Sequence, residues 1–192
     1  SAAAGDETLI EQIALPLDMP AGRYRWELDC ERVAESGDIE VLPVDQAPGY
    51  ITLDAVTWAG FATLRGVIFP DGLETWSGGS LPVALHWGSL GAADDDYSVF
   101  LHLADQDGRV WAQGDGYPRG GDRPATTWTA GETITDVRRI YLPPDLPPGD
   151  YRLILGWYDW REDTRVSLPD GADAVTLPVT VINRWPGGSG LP

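Results

Sequence analysis

The chain has 192 residues, 43% of them hydrophobic, with nine tryptophans, 23 glycines, 16 prolines and a formal net charge of −17. That composition excludes a disordered or fibrous protein, and the acidic field repels nucleic acid and anionic membranes, which bind by neutralising phosphate. Every basic residue is an arginine, which excludes lysine Schiff bases and P-loops, and the single cysteine, Cys30, excludes an intrachain disulfide or thiolate metal cluster.

The chain opens with Ser1-Ala2-Ala3-Ala4-Gly5 and no methionine, which reads as an excised or processed fragment of a longer protein. No apolar run approaches the ~20 residues of a membrane span, and no signal peptide is visible. Residues 13–28, IALPLDMPAGRYRWEL, recur as residues 140–155, IYLPPDLPPGDYRLIL. The identities are Ile13/Ile140, Leu15/Leu142, Pro16/Pro143, Asp18/Asp145, Pro20/Pro147, Gly22/Gly149, Tyr24/Tyr151, Arg25/Arg152 and Leu28/Leu155. Further on, Asp38 and Leu42-Pro43-Val44 recur as Asp173 and Leu177-Pro178-Val179.

The repeated unit has a physical reading. A strand stops at Leu-Pro because proline cannot donate to a sheet ladder. A Pro-x-Gly turn follows, whose glycine can take a positive φ. A second strand then opens at Tyr-Arg-x-x-Leu, so the unit is strand, turn and strand.

Between the copies, alternation and turn residues predict strands at Ile51–Trp58, Ala62–Phe69, Ser80–Trp87, Tyr97–Leu103, Arg109–Gln113 and Glu132–Leu142. Asp105-Gln106-Asp107-Gly108 reads as a hairpin turn, and Tyr151–Tyr158 and Ala174–Ile182 complete the set. No window shows a sustained helical period. The expectation is an all-β, antiparallel two-sheet sandwich, immunoglobulin-like, with a partial repeat at the N-terminus. Residues 50–183 make the whole sandwich and 184–192 a tail. Residues 1–49 are either the closing strands of a preceding copy or, the preferred arrangement, extra strands on the main sandwich, because an isolated hairpin is marginal in water.

Four stretches together carry a family resemblance: LPVALHW (81–87), DYSVFLHLADQDGRVWAQGD (96–115), TTWTAGE (126–132) and IYLPPDLPPGDYRLILGWYD (140–159). As a set they resemble the β-sandwich region at the C-terminal, extracytoplasmic end of bacterial multi-pass, lipid-carrier-dependent glycosyltransferases and related surface proteins. The resemblance spans about two-thirds of the chain. In that family the transfer chemistry belongs to the membrane portion. It therefore implies an extracytoplasmic accessory domain with no catalytic residues of its own. Its partners would be other domains of the same protein or cell-envelope components, with glycan as an alternative.

Site signals are sparse. His86 and His102 sit on neighbouring predicted strands, opposite the apolar face, and read as structural histidines since no acidic residue completes a zinc set. Asp94-Asp95-Asp96 and Asp105-x-Asp107-Gly108 lack the third ligand and distal glutamate of a calcium loop. No nucleophile elbow exists, and among thirty acidic residues a glycosidase-like pair is no signal. No cofactor and no metal are expected.

The best candidate is the long Gly/Pro-rich connection from Gly116 to Gly131, carrying Tyr117, Arg119, Asp122, Arg123 and Trp128. Aromatic rings beside carboxylates and arginines are the materials of sugar recognition. The competing reading is that Trp128 pins the loop to the sandwich while its polar groups satisfy the loop backbone. Trp157 keeps register with Tyr151, Leu153 and Leu155 and is assigned to the core. Trp160 lies past the strand end and is free to be exposed. A carbohydrate-binding module would use Tyr117, Trp128 and Trp160 as its platform.

Overall fold

The computed structural model describes residues 22–30, 33–41, 44–46 and 49–182, so residues 13–21 of the repeat and the tail lie outside the described residues. The chain divides into two compact units, residues 1–42 and 43–192. The first contains β1 (Gly22–Cys30) and β2 (Val33–Val41), which pair antiparallel as a two-stranded sheet of their own. Among the described residues, neither strand is hydrogen-bonded into the sheets of the second unit.

The second unit is a two-sheet sandwich. One sheet has the order β3 (Tyr50–Trp58), β4 (Ala62–Ile68), β6 (Ser80–Ser89) and β9 (Thr133–Tyr141). The other runs β5 (Glu74–Trp76), β12 (Val175–Ile182), β10 (Gly149–Asp159), β7 (Ser98–Ala104) and β8 (Val110–Gln113), with β11 (Thr164–Arg165) also on β10. All pairings are antiparallel except β5 with β12. The chain changes sheets after β4, where Phe69 is buried and Gly72, at φ 83°, turns back with its N–H on the Phe69 carbonyl at 2.9 Å.

Taking β4 as strand A, β5 as its continuation A′, β6 as B, β7 as C, β9 as E, β10 as F and β12 as G puts A, B and E in one sheet and A′, C, F and G in the other. That is the immunoglobulin-like arrangement. Its corner at the start of F is also present, because Tyr151 donates its hydroxyl to the Pro147 carbonyl at 2.7 Å. In antibody domains a disulfide cysteine stands two residues beyond that tyrosine. Here the position holds Leu153, which is fully buried, so packing alone closes the sandwich.

That packing is aromatic. Trp87 of β6 and Trp157 of β10 meet across the two sheets with ring centroids 4.9 Å apart. Trp58, Phe61 and Trp128 surround them in edge-to-face contacts at 5.1–5.7 Å. The indole N–H groups of Trp58, Trp87 and Trp157 are buried without a hydrogen-bond partner. Edge-to-face contact with neighbouring rings, worth ~0.5–1.5 kcal/mol a pair, offsets part of that cost.

The predicted strands appear within two residues of their expected ends. β5 and β11, three and two residues long, were not foreseen, since such segments are too short to show a period. Gly22 and Gly149 open their strands at φ 159° and 151°. Of the second recurrence, Leu177-Pro178-Val179 lies inside β12, while Leu42 and Pro43 lie outside the described residues.

Candidate functional site

The connection from Gly116 to Gly131 is tied down along its length. Its anchor is a buried ion pair that the sequence reading did not single out. β9 alternates Ile134, Asp136, Arg138 and Ile140 toward the interior, so two charged side chains occupy core-facing positions. Arg138 Nη2 lies 2.8 Å from Asp136 Oδ2, with side chains 7% and 1% exposed. The guanidinium also donates to the carbonyls of Gly114 (2.9 Å), Gly116 (3.0 Å) and Tyr117 (3.2 Å). Asp136 Oδ1 accepts the Arg119 N–H at 2.8 Å. A charge pair without such additional hydrogen bonds would not recover its desolvation cost.

The rest of the loop follows. Arg119 holds a left-handed φ of 52°, and the Asp122 N–H donates to its carbonyl at 3.3 Å. Arg123 pairs with Glu132, whose carboxyl that guanidinium holds below the usual range. Trp128 is 3% exposed, packs edge-to-face on Trp157, and donates Nε1–H to the Arg123 carbonyl at 3.0 Å. Thr126 donates to Asp96 at 2.5 Å.

The predicted site residues therefore separate. Trp128 presents no ring face to solvent, which corrects its place in a stacking platform. Arg119, Asp122 and Arg123 take part in shaping the loop. Tyr117 and Trp160 do come together: Trp160 is 54% exposed and donates Nε1–H to the Tyr117 hydroxyl at 2.6 Å. Arg161 lies 5.5 Å from the Trp160 ring and pairs with Asp95 at 2.6 Å, which pulls the Asp95 carboxyl below its usual range.

The two histidines do not share a face, because β6 and β7 belong to different sheets. His86 bonds the Tyr50 hydroxyl through Nδ1 at 2.8 Å, and burial together with Arg65 lowers its pKa. His102, on the other sheet, bonds Asp115 Oδ2 through Nε2 at 3.0 Å. No group of three or more metal-ligating side chains assembles among the described residues. The Asp-rich segments serve local structure. Asp94 accepts from Tyr97 (2.8 Å), raising that hydroxyl to about 12 together with the larger effect of burial. Asp105 caps the hairpin turn by accepting the N–H groups of Asp107 and Arg109, at 3.0 and 2.9 Å, and the Trp111 indole at 2.8 Å.

One concavity lies on the outer face of the five-strand path, lined by Phe100, His102, Gln113, Asp115, Tyr158, Asp163, Thr164 and Arg165, with a volume of about 280 Å³. His102 and Asp115 form its polar wall.

No family model matches the sequence, and no curated protein matches it. Among solved structures, AvmM, which catalyses macrocyclization in alchivemycin A biosynthesis, is similar over 74% of this chain and 100% of its own, at 10% identity and a TM-score of 0.34. A likeness that weak carries no argument about this chain.

Proposed function

We propose that the chain is a non-catalytic, extracytoplasmic accessory module of a larger membrane or cell-surface protein, in which immunoglobulin-like sandwiches follow one another and hold neighbouring domains or envelope components in place. The observation that carries the array is the hairpin of the first unit. Gly22 pairs with Val41 and Tyr24 with Ile39; Gly149 pairs with Val181 and Tyr151 with Val179. The same glycine, two residues before the same tyrosine, opens the F–G hairpin of the sandwich. β1 and β2 are read as the closing F–G hairpin of a preceding copy. The extracytoplasmic placement rests on the resemblance of residues 81–166 to the glycosyltransferase-associated sandwiches.

A reporter fusion and protease shaving of intact cells test the placement: cleavage from outside is expected, and full protection until lysis overturns it. The array is tested on the full-length product, where the segment preceding residue 1 should supply strands A to E of another sandwich. A preceding segment of helical pattern would sink it.

A second reading, a carbohydrate-binding module, keeps one specific observation in its favour. Trp160 is hydrogen-bonded to Tyr117 and its indole is more than half exposed. An unchanged glycan-array profile for Trp160→Ala would remove it.

A further inference from the structure

The dipeptide Asp-Gly occurs four times in the chain, at Asp71-Gly72, Asp107-Gly108, Asp115-Gly116 and Asp170-Gly171. Three of these sit at turns, with Gly72, Gly108 and Gly171 at φ 83°, 86° and 87°, where a side chain would be strained. The missing side chain that suits glycine to the turn also makes the dipeptide chemically reactive. The glycine nitrogen, unhindered, attacks the aspartate Cγ and closes a succinimide ring, and its proton leaves with the carboxyl hydroxyl as water. Water then reopens the ring at either carbonyl, which returns aspartate or gives isoaspartate, whose main chain runs through the side-chain carbon. One water leaves and one enters, so no other reactant is needed.

The fold restrains this reaction at every site, but unequally. Attack requires the glycine N–H to be free, and all four are hydrogen-bonded. Gly72 donates to the Phe69 carbonyl at 2.9 Å, Gly108 to Asp105 at 3.1 Å, Gly116 to Val99 at 3.0 Å and Gly171 to Leu168 at 3.0 Å. Attack also requires the carboxyl group to swing onto that nitrogen, and here the sites divide. Asp115 accepts the Leu101 N–H at 2.8 Å with Oδ1 and meets His102 Nε2 at 3.0 Å with Oδ2. Gly116 beside it also accepts the Val99 N–H at 2.9 Å, so the two exchange both backbone bonds. Asp170 Oδ1 accepts the Ala172 N–H at 3.0 Å. Asp71 and Asp107 are exposed, and among the described residues neither carboxylate accepts a hydrogen bond or pairs with an arginine.

We infer that Asp71 and Asp107 are the modification sites of the folded chain, converted spontaneously to isoaspartate, and that Asp115 and Asp170 are locked against that conversion. At the two open sites a single turn hydrogen bond stands in the way, and local opening breaks it without disturbing the core. At Asp115 the glycine nitrogen and both carboxylate oxygens must be released together, which means parting β7 from the segment beside it. The structural cost of conversion is plainest at Asp107. An extra main-chain carbon there falls between Asp105 and Arg109, whose backbone bond at 3.0 Å closes the hairpin. Arg152 of β10 holds the same hairpin through the carbonyls of Asp105 and Gln106, each at 3.1 Å. This inference goes beyond the accessory-module reading and does not depend on it, since the chemistry needs only water.

The test is prolonged incubation of the full chain in heavy-oxygen water at neutral pH, in native buffer and in urea, with isoaspartate located by peptide mass spectrometry. In urea the four sites are expected to convert at similar rates, because the same dipeptide is then equally free at each. In native buffer Asp71 and Asp107 should accumulate isoaspartate, with Asp115 and Asp170 behind them by about tenfold or more. His102→Leu removes one of the two bonds on the Asp115 carboxylate. It should raise conversion at Asp115 by about threefold or more and leave the other three sites unchanged. Three results would each overturn the assignment: Asp115 or Asp170 keeping pace with Asp107 in the folded parent, a rise in the variant shared equally by all four sites, or no isoaspartate at Asp71 and Asp107 by the time the urea sample has converted. None of these rates bears on where the module sits in the cell, so the two readings fail separately.

Discussion

Arg138 and Asp136 lie two residues apart on one edge strand, 2.8 Å from one another, and both point into the sandwich. Between them they hold the carbonyls of Gly114, Gly116 and Tyr117 and the N–H of Arg119, so the long connection is fastened to the strand that follows it. Removing one member strands the other charge in the interior. Arg138→Met is expected to cost about 3–5 kcal/mol in urea unfolding and to accelerate hydrogen exchange at the Arg119 amide. The double change Asp136→Leu with Arg138→Met should recover much of that stability without restoring protection at Arg119. A loss under about 1 kcal/mol for the single variant would mean that the pair does not anchor the loop.

Trp128 and Trp160 make a matched pair of opposite predictions. Trp128→Ala opens a large cavity beside Trp157 and should cost about 3–5 kcal/mol. Trp160→Ala, at an exposed position, should stay within about 0.5 kcal/mol of the parent. Equal effects on the denaturation midpoint would contradict the burial of one and the exposure of the other.

The corner hydrogen bond from Tyr151 to Pro147 is a single neutral contact with an acceptor near solvent. Tyr151→Phe keeps the ring and removes the bond, so the expected loss is about 1 kcal/mol, roughly 2–4 °C in Tm for a domain of this size. Calorimetry of the full chain measures it, and an unchanged Tm would count against the bond's role.

Stability should fall as the solution is acidified below the ordinary histidine range, and His86 supplies the reason. Its folded pKa is lowered from 6.5 by burial first and then by Arg65, with Asp45 opposing. Below 6.5 the unfolded chain therefore binds the proton more readily than the folded one, so the contribution is complete above that pH and is lost as pH falls toward the folded value. The groups bearing on the ring are Tyr50, Arg65 and Asp45. Unfolding free energies measured from pH 8 to pH 5 should slope downward for the parent, and His86→Gln should flatten that slope. Identical slopes would remove His86 as the cause. Asp95, Asp105 and Glu132, whose pKa values are depressed, add their own losses only at lower pH, through the carboxylate range.

Strand positions were legible because they are local. Val83, Leu85 and Trp87, or Val99, Leu101 and Leu103, alternate every second residue toward one side, and Gly and Pro mark where each run stops. The Pro-x-Gly-x-Tyr turn was equally legible, since a glycine's positive φ and a proline's missing N–H are properties of single residues. Even the inward placement of Asp136 and Arg138 had a signal, the even spacing from Ile134 to Ile140, although composition argues against charges in a core.

What the sequence alone determined, then, is an all-β chain of short strands and its turns. Tertiary structure decided the rest. It set which strands share a sheet, so His86 and His102 part company, and it buried Trp128 while leaving Trp160 in solvent beside Tyr117. It also brought residues as far apart as Phe100 and Arg165, 65 positions, to one concavity. The physical reason is that a strand's period follows from its own backbone, whereas its neighbours depend on long-range pairing and the packing of whole faces, which no local pattern encodes.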